Sequence, residues 1–214
     1  MRDTLTRRHW WWNYSLHAVH LMGLSLWLGT LVFFPFCVAL PVIGGMKALA
    51  ARPDNWLHLQ SENEGIRLAG EFLDIVFQRY FLFQLGCGLA AVCPALFWWP
   101  AGRVHRVRLI VLLLALVLVV VNEWGLAEQV RYWRQERYAS TPAKAAIDNA
   151  GARPTPPDQL AHSAQAEAAF QFWHNWSLAA DMAVLILVFI ALLLAPAVPN
   201  FNGRSQHDQG GGTA

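Results

Sequence analysis

Three side chains in the segment FQFWHNWSLAAD, residues 170–181, could do chemistry: His174, Ser177 and Asp181. They stand three and four residues apart, so a helix lays them along one face. The segment leads straight into the apolar run MAVLILVFIALLLA. Asp181 falls about five residues inside the apolar stretch, on the order of 8 Å at the helical rise. Glu123, preceded by Asn122, is placed alike at the end of another apolar run. An isolated charge at such a depth costs at least about 2.5–3.5 kcal/mol, so each carboxylate requires a partner. Three chemistries supply one. They are an ion pair with Arg79 that pins three helices together, a proton shared by two close carboxylates, or a bound cation. The ligand set for a metal or other cation is Glu123, His174 and Asp181, with no sequence-local motif such as HxxxH to support it.

The elements that carry these residues are membrane helices. Of 214 residues, 56% are hydrophobic and 14% charged, and the apolar ones cluster in long runs instead of scattering as in a soluble core. A span needs roughly 20 apolar residues, and four segments qualify, at 21–43, 80–99, 107–126 and 176–196. The expected fold is all-α, a polytopic four-transmembrane-helix bundle. Residues 1–200 form one membrane domain and 201–214 a disordered tail. The segments NEGIRLAGEFLDIVFQRYF and AEQVRYWRQERYA read as helical extensions beyond the membrane, the second with arginines at 131, 134 and 137. STPAKAAIDNAGARPTPPDQ reads as a proline-rich loop. The basic start followed by an apolar run resembles a signal peptide, but the run exceeds the roughly 7–15 residues of a signal core, so it is read as a retained first helix.

Basic residues in short segments near the spans set orientation. Arg2, Arg7 and Arg8 precede the first span, Arg103, Arg106 and Arg108 fill the short turn between the second and third, and Arg204 lies in the tail. Both termini are therefore placed in the cytoplasm, in a multi-pass protein of the cell inner membrane. Trp10, Trp11, Trp12, Tyr14, Trp98 and Trp99 mark one interface as an aromatic belt, and Trp173 and Trp176 mark the other. The end of the third span and the starts of the second and fourth then share the outer side. Small-residue steps at Ser25/Gly29 and Gly86/Ala90 read as close helix contacts, and Pro35, Pro41 and Pro94 as bends.

His17 and His20 share a face on the first span, and a membrane haem takes histidines from facing helices. They start at the opposite interface from His174, and a bilayer core of about 30 Å lies between, so one haem cannot join them. A haem held by either alone stays open beside an interfacial histidine. Cys37, Cys87 and Cys93 read as packing residues. A net charge of +2 and the lack of an aromatic-plus-basic stripe argue against nucleic acid. No GxSxG, P-loop or HExxH occurs, so no enzyme activity is expected.

Four pieces, HLMGLSLWLG (20–29), RYF (79–81), VNEWGLAEQ (121–129) and FxxWHxxSxxxD (170–181), resemble in that order the transmembrane protein 205-like family, whose bacterial members carry a domain of unknown function. His20, Leu21, Ser25 and Gly29 match its first motif, Val121, Asn122 and Leu126 its second, and Phe170, His174 and Ser177 its third. The chain departs at Asp181, where the family pattern has asparagine, and Glu123 is not part of the pattern. The resemblance implies four helices and a membrane location, with a human relative linked to tolerance of drugs and metal compounds. Copper-resistance membrane proteins of the D type look similar over the first helix alone.

Two functions follow as expectations. One is small-solute or cation handling, in efflux or tolerance, through the outer-side polar site of spans two to four; four helices make a thin wall, so this reading implies a homo-oligomer. The other is a non-catalytic assembly or scaffold protein that binds a protein partner through its long extra-cytoplasmic connections. A haem- or copper-binding membrane protein is a further alternative. The cofactor is left unknown, and the lipid bilayer is the partner common to all readings.

Overall fold

The computed structural model describes the backbone of residues 2–59, 61–139 and 157–195, and the side chains of residues 11–59, 61–139 and 161–195. All regular structure among them is helical. Helix α1 (Arg2–Phe33) passes through a π-helical segment, Phe34–Ala39, into α2 (Leu40–Ala50). Helix α3 (Glu62–Phe97) is joined by a short turn to α4 (Arg103–Val121), which continues through a second π turn, Asn122–Leu126, into α5 (Ala127–Ala139). Helix α6 spans Pro157–Leu193. The expected tail and most of the proline-rich loop lie outside the described residues, as do the side chains of Arg2, Arg7, Arg8 and Trp10.

Four columns are long and apolar enough to cross a membrane: Trp11–Ala50, Glu62–Phe97, Arg103–Ala139 and Ala161–Leu193. Each outruns its apolar stretch, because polar residues at its end keep the backbone helical. Ser61 caps α3 by accepting from the Glu64 amide, and Lys47 pairs with Glu62 across the loop. That is the usual satisfaction of the free amides at a helix start. At the other end of α3, Gly102 takes φ 154°, a conformation natural only to glycine, and turns the chain into α4.

The columns form a closed antiparallel ring, with α3 against α1, α2 and α4, and α6 against α4, α5 and α1. Inside lie Leu24, Trp27 and Leu31 of α1, Tyr80, Cys87 and Ala91 of α3, Leu112, Ala115 and Val119 of α4, and Val184, Val188 and Ala191 of α6. These recur at three- and four-residue steps, the period of one helical face. The outer wall carries large exposed apolar groups such as Met22, Phe36, Ile75, Phe97, Val117 and Ile186. Such a wall is what a hydrocarbon surrounding requires. The end bearing the α3–α4 turn is called the turn end below, and the opposite one the loop end.

Two expectations need correction. The close contacts are not at Gly29 or Gly86, around which a Cβ would meet nothing within 4 Å. They are at Gly23, where a Cβ would stand 2.9 Å from the Ala91 amide nitrogen, and at Gly88, where it would stand 2.6 Å from Leu116. Of the prolines, Pro94 lies inside the continuous helix α3, Pro41 in the first turn of α2, and Pro35 in the π segment, where its missing N–H breaks the α ladder. Trp98 is not part of an interfacial belt; it is 1% exposed, while Trp11, Trp12 and Trp99 remain on the surface.

Replacing Gly23 with alanine forces backbone against backbone, so it should destabilise the bundle by about 1–3 kcal/mol, while Gly86→Ala should be neutral. Thermal unfolding of both variants in detergent checks the pair.

Candidate functional site

The polar residues singled out by their spacing sit on the loop-end half of the ring. A π turn starts among them, where the Ala127 amide bonds back to the carbonyl of Asn122, a five-residue step that widens the helix by one residue. Asn122 faces α6, and the next residue, Glu123, about 100° further round, lies beside α3.

Asn122 is fully buried. Its amide nitrogen donates to Asp181 Oδ1 at 3.0 Å, and its amide oxygen accepts from Ser177 Oγ at 2.7 Å. The amide thus bridges two residues one turn apart on α6. Of the stripe at 174, 177 and 181, the last two do point inward and meet the third column. Among the described residues, no arginine, lysine or histidine forms an ion pair with Asp181.

The structure does not bring Glu123, His174 and Asp181 to one point, and no three His, Cys, Asp or Glu side chains among the described residues are grouped to hold a metal ion. His174 lies seven residues before Asp181, about 10 Å along the helix, and its ring stacks on Phe170 at 5.5 Å. Glu123 lies on the α3 side of its column. Its Oε1 stands 3.9 Å from Arg131, and its Oε2 is buried with no hydrogen-bond partner. The expected Arg79 bridge is also missing. Arg79 is exposed because it neighbours the inward Tyr80, and one residue turns a helix by about 100°.

The ion pairs come instead from α5. Arg134 reaches Asp74 of α3 at 3.3 Å and donates to the Gly70 carbonyl at 2.9 Å. Arg137 pairs with Glu167 of α6 and lies over the Phe170 ring. The row at 131, 134 and 137 thus faces three acids on three different helical stretches.

A level deeper, Trp27 Nε1 of α1 donates to Gln84 Oε1 of α3 at 3.2 Å, both fully buried. Beyond it, at the turn end, a second polar group forms around Trp98. His20 is buried with Nδ1–H donating to the Ala91 carbonyl at 2.7 Å, and its ring meets Trp98 edge-on. Arg108 lies over the same indole at 4.9 Å, donates to His105 Nδ1 at 3.1 Å and approaches the Ala195 carbonyl past the end of α6 at 3.4 Å. Arg108 was counted in the turn and His20 at the interface, and both prove to be core residues with no exposure. The available signal was spacing: His105 and Arg108 are three apart, one face of α4.

No family model, curated protein or solved structure matches the chain. What the geometry defines on its own is a polytopic helical bundle with a hydrogen-bonded Asn–Ser–Asp cluster at span depth.

Removing the bridging amide leaves a carboxylate unpartnered, so Asn122→Ala should lower stability by about 1–3 kcal/mol and Ser177→Ala by about 1 kcal/mol or less. Arg79→Gln should change it by no more than about 0.5 kcal/mol. Unfolding of the three variants under one condition tests this order.

Proposed function

We propose that the protein handles small cations or protons at the inner membrane, with Asp181 as the group that takes up the charge and both termini in the cytoplasm. The observation that carries the reading is the Asp181 carboxylate, held at span depth by a neutral amide and by no basic side chain among the described residues. Hydrocarbon penalises that charge unless a proton or cation joins it. Asn122 fixes the carboxylate by a direct hydrogen bond and is itself held by the Ser177 hydroxyl, which suits a site that is loaded and emptied in place. The orientation rests on Arg103 and Arg106 beside the turn, retained on the cytoplasmic side. The motif resemblance to the transmembrane protein 205-like family accords with a tolerance role.

One observation favours the scaffold reading instead. The arginine row of α5 ties α3 and α6 together, and a rigid outer platform is what a partner protein would dock on.

In proteoliposomes under an imposed pH or cation gradient, wild type should carry flux and Asp181→Asn should reduce it by about tenfold or more. A folded Asp181→Asn protein with undiminished flux would falsify the assignment. A wild type with no flux, together with capture of a defined partner through the loop end, would establish the scaffold.

A further inference from the structure

Glu123 lines a crevice of about 210 Å³ between α3 and the π turn, with Gln78, Phe81, Leu82, Leu85, Val119 and Trp124. Leu82 and Trp124 at its rim are more than half exposed, so it opens on the outside of the bundle, away from the Asn122 cluster. Its floor is acidic. Oε2 of Glu123 is buried and has no hydrogen-bond partner, while Oε1 meets Arg131 only at 3.9 Å. Apart from the Gln78 amide, the remaining walls are aromatic and aliphatic. The geometry points to a binding site for a small organic ammonium ion in this crevice, its cationic head on Glu123 and its alkyl groups against Phe81, Trp124 and the leucines.

Each part of the site has a match in that ligand. An ammonium adds a second cationic neighbour to a carboxylate that meets Arg131 only at 3.9 Å, and aromatic faces attract cationic heads, quaternary ones above all. The apolar walls take up methyl groups that water solvates poorly. A hydrated metal ion gains little here, because the crevice offers one carboxylate and mostly carbon. The volume falls below the roughly 300–1,000 Å³ of drug-sized pockets, which limits the occupant to a choline-sized group. That group could arrive as a free solute or as the headgroup of a phospholipid, since the mouth faces the membrane side of the wall.

This inference deepens the cation-handling reading and rests on it for its physiological meaning, but it concerns a different carboxylate and is read by binding alone. The test is equilibrium binding of choline to the full chain in nanodiscs of phosphatidylglycerol. Its neutral isostere 3,3-dimethylbutanol serves as the control. Saturable choline binding is expected, with the alcohol about tenfold weaker or worse. Glu123→Gln should weaken choline about tenfold, and Leu82→Trp, an exposed position that tolerates a larger ring, should block the mouth. Loss of choline binding when phosphatidylcholine replaces the lipid would assign the site to a headgroup; unchanged binding would assign it to a free solute.

Equal binding of choline and the alcohol to wild type overturns the proposal without any variant, as does a folded Glu123→Gln protein that binds choline like wild type. The two readings fail separately. A wild type that binds choline but carries no ion sinks the transport reading alone, and one that carries ions but binds no choline sinks this one.

Discussion

Hydrocarbon gives a polar side chain nothing to bond to, and that constraint organises the whole molecule. Four of the five buried polar groups among the described residues reach across to another column instead of outward; the fifth, His105, bonds to Arg108 on its own helix. His20 reaches a carbonyl of α3, Trp27 reaches Gln84, Asn122 reaches Asp181 and Ser177, and Arg108 reaches the chain end of α6. These contacts act as rungs at successive depths between different pairs of helices. Apolar packing holds neighbours together but resists sliding weakly, because one leucine replaces another at little cost. A hydrogen bond in lipid has only one register in which it is made, so the rungs fix the relative heights of the columns.

The two ends meet this constraint differently. At the turn end, a buried guanidinium has no carboxylate among the described residues. It is accommodated by the face of Trp98, by a histidine nitrogen and by a carbonyl past the C-terminus of α6. Helix C-termini carry partial negative charge and free carbonyls, which suits an arginine. At the loop end, Asp74 and Glu167 belong to ion pairs with Arg134 and Arg137, and Glu123 has a looser contact with Arg131, all ordered by α5. Between these lies Asp181, whose negative charge has neither a helix end nor an arginine, only an amide.

Much of the fold was legible because it follows from length and hydropathy. Four runs of about 20 apolar residues leave few alternatives to four spans, and the helical extensions were readable from their periodicity. The candidate site was legible only in part. The stripe on α6 put Ser177 and Asp181 on the inward face, and Asn122 at the end of α4 was correctly placed to meet them. What failed was angular. Spacing along one helix does not say where the seam between α3 and α6 falls, so the 100° step from Asn122 to Glu123 could not be assigned to one side or the other. The error at Arg79 has the same size, one residue against Tyr80. His20 and Arg108 were misplaced in depth because a sequence shows how far a residue is from an apolar run, not which helix end lies beside it. Gly23 was overlooked in favour of Gly29 for the same reason: spacing finds small residues but not the partner backbone.

Adjacent residues serve different surroundings at the end of α4. Neighbouring helical residues differ by about 100°, enough for Asn122 to meet α6 while Glu123 lies on the α3 side. The π turn that starts there does not widen this angle, because more residues per turn bring neighbours closer in direction; it shifts the register of the residues that follow, from Ala127 onward. π segments are rare single turns inside α-helices. Here the bonds of Asn122 to Ser177 and Asp181 engage the turn on one side, and the contact of Glu123 with Arg131 engages it on the other. The other π segment, Phe34–Ala39, takes its interruption from Pro35 instead, so the two turns reach the same backbone form by different means, one through a missing N–H and one beside a cluster that ties the column to α6.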